Sequence, residues 1–180
     1  MPPPEVLSNS STAPSGELTI TASGFGPISA RTPATLGALR KLLVGYDVRP
    51  VNDGSLEYDV FAGTERLLFV VPNDDGSVFN VHATSQRIGV RDRDWRVGAK
   101  FRGTVSACEC WGANPTCYQK GEHVAVNLAR DCGDDLTNGE PVINGAVIQR
   151  VIWSPRAFGG SFGGDGYGGA GYGGGDDPCD

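Results

Sequence analysis

The sequence predicts an α+β fold: a twisted, mostly antiparallel sheet with one main amphipathic helix, between an N-terminal tail and a Gly-rich C-terminal tail. Three observations lead there. Residues 33–44 place apolar side chains at helical spacing, with end signals on both sides. Several shorter stretches alternate apolar and polar residues between turn formers. Both ends lose that patterning. Residues 1–16 are mostly Pro, Ser, Asn, Thr and Ala, and from Gly159 the chain repeats Gly with Phe or Tyr. A chain of 180 residues suits one domain with tails. The expected division is a flexible tether 1–16, a single α+β domain 17–156 and a disordered Gly-rich tail 157–180.

Each element has its own signal. Leu18, Ile20 and Ala22 share a face, which predicts a strand over 17–22. Gly24 to Pro27 reads as a turn. Thr32 suits a helix N-cap, Pro33 its first position and Gly45 its end. Leu36, Leu39, Leu42 and Leu43 fall on one face of that helix and read as core. Strands follow over 46–51 and 55–62, the latter through Leu56, Tyr58 and Val60. The fuller apolar run 65–71 predicts a strand buried on both faces. Asn73-Asp74-Asp75-Gly76 is a hairpin signal. The returning strand 77–83 puts Phe79 and Val81 on one face and Val78, Asn80 and His82 on the other. Ile88–Val90 and Trp95–Phe101 are short apolar patches around a charged turn at 91–94. The cysteine segment 104–121 reads as loop. A strand over 122–129 follows, then a polar loop 131–140 and a final strand 147–153.

Composition narrows the function classes. The net charge of −6 disfavours a nucleic-acid partner, which needs a basic face. No apolar run is long enough to span a membrane. Met1-Pro2-Pro3-Pro4 carries neither the basic nor the apolar region of a signal peptide. The cysteines nevertheless favour export. Cys108, Cys110, Cys117 and Cys132 are clustered, and in an exported protein such clustering reads as disulfides. Cys179 is left over in the tail.

Cys117 and Cys132 flank the predicted strand 122–129, and a bridge between them needs Cα atoms within about 7 Å. Cys108 and Cys110 would pair with each other only in a strained turn, or one of them would pair with a more distant cysteine. The alternative is a metal site from Cys108, Cys110 and Cys117 with Cys132 or His123. Zinc ligand pairs prefer gaps of about two to four residues, which this spacing fits poorly, so disulfides are the favoured reading. No cofactor is called for.

The two histidines, His82 and His123, lack the partners of a nucleophilic triad and read as surface or rim residues. Asp131, Asp134, Asp135 and Glu140 form the densest acidic loop but not a calcium-loop pattern, and read as solvated. Trp95 and Trp111 are candidate partner contacts, since interface hot spots favour Trp. The competing reading, that Trp95 is core and Trp111 covers the cysteine loop, is preferred.

Taken in order, several of these stretches carry a resemblance. They are Leu18 to Ile28, Thr32-Pro33, Leu39 with Leu42-Leu43 and Gly45 to Val48. Leu67-Leu68, Val71-Pro72 and Asp75-Gly76 follow, then Val97 to Phe101, Cys117, Gly121-Glu122, Cys132 and Val151 to Pro155. The chain resembles the sigma-E-regulated envelope lipoproteins of Gram-negative bacteria, a family of unknown function, over about residues 17–156. The resemblance implies an exported, lipid-anchored α+β domain and a disulfide between Cys117 and Cys132. It offers no catalytic residues. The chain departs from the family in carrying no lipoprotein signal cysteine and in adding Cys108, Cys110 and the tail with Cys179.

The expected function is therefore a non-enzymatic periplasmic domain that binds a protein or an envelope component. It would touch a membrane only through an anchor absent from this chain. The alternatives are a cysteine-based metal-binding or redox module, and an enzyme of unrecognised type using His82 or His123.

Overall fold

The computed structural model describes residues 18–51, 56–110, 113–133, 136 and 143–160. The tether 1–16, Trp111, Asp134, Asp135, Glu140 and the tail from 161, with Cys179, lie outside the described residues. In chain order the first elements are β1 (Ile20–Thr21), β2 (Gly24–Phe25), β3 (Ile28–Ser29), α1 (Leu36–Leu42) and β4 (Asp47–Pro50). Then come β5 (Tyr58–Ala62), β6 (Glu65–Pro72), β7 (Val78–Ala83), β8 (Gly89–Val90) and β9 (Arg93–Arg96). The last are β10 (Ala107–Cys110), β11 (Pro115–Tyr118), β12 (Val124–Leu128) and β13 (Ile148–Trp153).

Eight of these strands make one antiparallel sheet, ordered β10-β11-β12-β13-β7-β6-β5-β4. A small sheet, β3-β2-β1-β8-β9, contains a parallel pairing, Ile20 opposite Val90. The predicted class, a mostly antiparallel sheet with one helix, is what the described residues form.

One row of side chains shows how the core is built. Val60, Leu68, Ala83, Val151, Val126, Cys117 and Cys108 lie opposite one another across seven neighbouring strands. All seven are buried. Beside them run Val70, Val81, Trp153 and Val124. The small sheet and α1 cover this face with Ile20, Phe25, Ile28, Leu39, Leu43 and Trp95, all in the same core cluster. Trp153 is its largest fully buried side chain, and its indole N–H donates to the Ala22 carbonyl at 3.4 Å. Fully burying such a side chain contributes roughly 1.5–3 kcal/mol.

Several sequence expectations hold in detail. Leu67, Leu68, Phe69 and Val70 are all buried, as the apolar run in β6 predicts. Asn73 to Gly76 turns β6 into β7, with Gly76 at φ +79 and its N–H donating to the Asn73 carbonyl at 2.9 Å.

Others are corrected. The helix starts later than predicted. Thr35, not Thr32, is the N-cap, its hydroxyl accepting from Ala38 N–H. Pro33 instead bridges to Ser77, and Ala34 N–H donates to the Gly76 carbonyl at 2.7 Å. Those tertiary bonds hold the chain extended for two more residues. With seven residues, α1 depends on packing rather than propensity.

The face assignment in β7 is also corrected. Val71 pairs with Asn80 but Pro72 pairs with Val78, so Phe79 is an extra residue. Such a bulge reverses the alternation. Val78 turns into the core and Phe79 is 38% exposed on the opposite face.

The cysteine segment is not loop. It is a hairpin, β10 with β11, joined to the large sheet through β12. Its strands are four residues each and their inward side chains include cysteines, which the apolar patterning did not count.

Candidate functional site

The cysteines were the leading sequence candidates, and the structure gives all four to disulfides. Cys108 lies directly opposite Cys117 in the hairpin, with Cα atoms 4.0 Å apart, and bonds to it. Cys110 bonds to Cys132, 5.9 Å away between Cα atoms. The implied Cys117–Cys132 bridge is thereby corrected. Cys117 points into the core and is bonded to its cross-strand neighbour Cys108, whereas Cys132 lies at the turn end of the β10–β11 hairpin, its N–H donating to the Ala113 carbonyl at 3.3 Å, and bonds Cys110 there. The metal alternative is corrected by the same bonds, which leave Cys108, Cys110 and Cys117 no thiolate to offer. Its fourth member, His123, bonds through Nδ1 to the Ser154 carbonyl at 2.9 Å. Among the described residues no group of three or more His, Cys, Asp or Glu is placed to hold a metal ion.

Trp95 is 5% exposed. Its indole N–H donates to the Arg102 carbonyl and its ring packs against Phe101, 5.4 Å between centroids. It belongs to the core, not to a partner surface.

What the strands do bring together lies on the other face of the large sheet. Two rows cross it. Phe69, His82, Ile152, Ala125 and Tyr118 are mutual neighbours along one row. Arg150, Asn127, Thr116 and Glu109 form the next. The first row is a floor: Phe69, Ile152, Ala125 and Tyr118 are buried although no second layer of strands among the described residues covers them. The second row supplies polar and charged groups.

A short strap, 155–160, makes a wall of the depression. Phe158 N–H donates to the Glu122 carbonyl at 2.8 Å, and Gly121 N–H donates back to the Phe158 carbonyl at 2.8 Å. The Phe158 ring stacks on Tyr118 at 5.4 Å. Gly159, at φ +66, lets the strap approach: a Cβ there would meet Tyr118 at 3.0 Å and Lys120 at 3.1 Å. The bulged Phe79 lines the groove from β7. The resulting groove encloses about 330 Å³.

Its electrostatics are distinctive. His82 lies flat on Phe69, 4.4 Å between centroids at 8°. Its Nε2 bonds the Asn80 amide oxygen at 2.8 Å. Its Nδ1 is shut from solvent and has no hydrogen-bond partner. Burial, and then the charges of Arg150 and Arg66, lower its pKa from 6.5 to about 3. The imidazole is therefore neutral at neutral pH. Arg66 and Arg150 lie over the Phe69 ring at 4.7 and 5.6 Å, and Arg66 pairs with Asp59. Tyr118 donates to Glu109, and burial followed by that carboxylate raises the phenol to about 12.

A general base works best with a pKa near the operating pH, and His82 is far from it. The Ser154 hydroxyl donates to the Phe79 carbonyl at 3.4 Å rather than to a base. Cationic groups beside aromatic rings and amides recognise; they do not by themselves transfer groups.

Sequence reasoning placed Asn80 and His82 on one strand face but read His82 as a rim residue. It sits on the floor instead. Arg150, Asn127, Thr116, Phe79 and Phe158 were missed as site residues. The Asn80-x-His82 alternation was a usable signal. The pairing of β7 with β13 that completes the site has no local signature.

No family model matches the chain, and no curated protein matches it. Among solved structures, it is similar to the crystal structure of the uncharacterized protein YfeY from Escherichia coli. The TM-score is 0.56 at 17% sequence identity, covering 76% of this chain and 99% of that one. Likeness at that identity is a likeness of fold. The chain has a YfeY-like fold.

Proposed function

We propose that this chain is a non-enzymatic binding domain of the cell envelope that recognises a protein or envelope component through the outer face of its large sheet. The observation that carries the reading is the groove. Its floor is apolar and buried, its rim is cationic, and its one histidine is held neutral. Two disulfides support an oxidising compartment. Periplasmic location, a lipid anchor and sigma-E control complete the reading, on the strength of the family resemblance.

Site-specific photocrosslinking tests it. A photoreactive residue at Phe79 in the groove is expected to capture material from envelope extract. The same residue at Arg31, on the small-sheet side, is expected to capture none above background. Equal yields from both positions, or none from Phe79, would overturn the reading. Recovery of the protein with the cytosol on cell fractionation would overturn the envelope location.

A further inference from the structure

Three features of the groove narrow what it holds. Arg150 is exposed at the rim and forms no ion pair with a carboxylate among the described residues. The floor at Ile152 and Ala125 is apolar, with Phe79 beside it on the β7 side and Phe158 over β11 on the other. The one carboxylate in the lining, Glu109, accepts from the Tyr118 hydroxyl. An unpaired guanidinium at one end of an aromatic slot calls for an anion attached to an apolar body.

Building on the binding reading above, we infer that the groove takes a small amphipathic anion: an aryl or acyl compound whose acidic group sits on Arg150 and whose apolar part lies on Ile152 between Phe79 and Phe158. The cavity of about 330 Å³ is near the lower end for small-molecule sites, which suits a small ligand. Guanidinium is suited to the acid because it is weakly hydrated and offers paired donors to a carboxylate, sulfonate or phosphate.

Two fluorescent probes with one ring system separate the parts. Anilinonaphthalene sulfonate carries the anion; phenylnaphthylamine lacks it. The sulfonate is expected to bind one per chain. Arg150→Gln is expected to weaken it by about tenfold or more while leaving the neutral probe unchanged. Arg150→Lys recovers part of the loss, Phe158→Ala weakens both probes, and Arg31→Gln affects neither. Equal sulfonate affinity for the native protein and Arg150→Gln overturns the inference. So does absence of sulfonate binding. If the probes fail while Phe79 still crosslinks to envelope material, the groove remains the binding face and only the ligand class falls. If both fail, the face itself falls.

Discussion

Acidification is expected to destabilise the native protein through His82. In the folded state its pKa is lowered to about 3; in the unfolded chain it returns to the ordinary 6.5. Below pH 6.5 the unfolded state therefore binds more protons than the folded state, and stability falls as pH falls. The contribution is complete above pH 6.5 and is lost progressively toward pH 3. At about pH 5 the loss is about 2 kcal/mol, from roughly 1.5 pH units at 1.36 kcal/mol each. It levels off near about 5 kcal/mol once the folded ring protonates as well. Urea unfolding of the native protein and of His82→Phe, at about pH 7 and about pH 5, measures it. Phenylalanine keeps an aromatic ring on Phe69 but cannot titrate. The difference between the two proteins should shift by about 2 kcal/mol in the variant's favour at the lower pH. Parallel pH profiles would refute the argument. So would a His82 ring that titrates near 6.5 by NMR.

Other consequences can be checked separately. Peptide mapping without reduction should recover Cys108 linked to Cys117 and Cys110 linked to Cys132; a Cys117–Cys132 peptide would contradict the register of the hairpin. In the chain-entropy account, removing the nine-residue bridge costs about 2.6 kcal/mol and the 22-residue bridge about 3.4, so denaturant midpoints should fall in that order. Trp153→Ala should cost about 3–5 kcal/mol, because the indole is fully enclosed between the two sheets. Gly159→Ala forces a side chain into a left-handed backbone and against Tyr118, so the strap should lift. The expected cost is about 1–2 kcal/mol, with faster tryptic cleavage after Arg156 as the readout.

Local signals were legible wherever a short segment settles its own conformation. The Asn73–Gly76 turn is one case: its glycine takes a positive φ that other residues resist, and the turn sets the register of β6 and β7. The doubly buried run in β6 is another, since consecutive apolar residues leave no polar face to expose. The helix was legible in existence but not in start, because Pro33 and Ala34 were claimed by Ser77 and Gly76 from a distant turn. The cysteine hairpin was missed because its strands are short and carry glutamate and threonine on the outer face.

The site was mostly illegible for a related reason. Asn80 and His82 lie on β7, while Arg150 and Ile152 lie about seventy residues later on β13. Only the antiparallel pairing of those strands places them side by side. The bulge at Phe79 likewise arises between two strands and cannot be read from either alone.

By itself, then, the sequence determined the fold class, the helix, most of the long strands and the clustering of four bonding cysteines. Periodicity, turn chemistry and residue type act over a few neighbouring residues, and those features need nothing further. The tertiary structure decided which cysteines bond, which histidine lies on the groove floor and which residues share the groove. Those outcomes depend on register between strands far apart in the chain, where a shift of one residue exchanges the core face for the outer face.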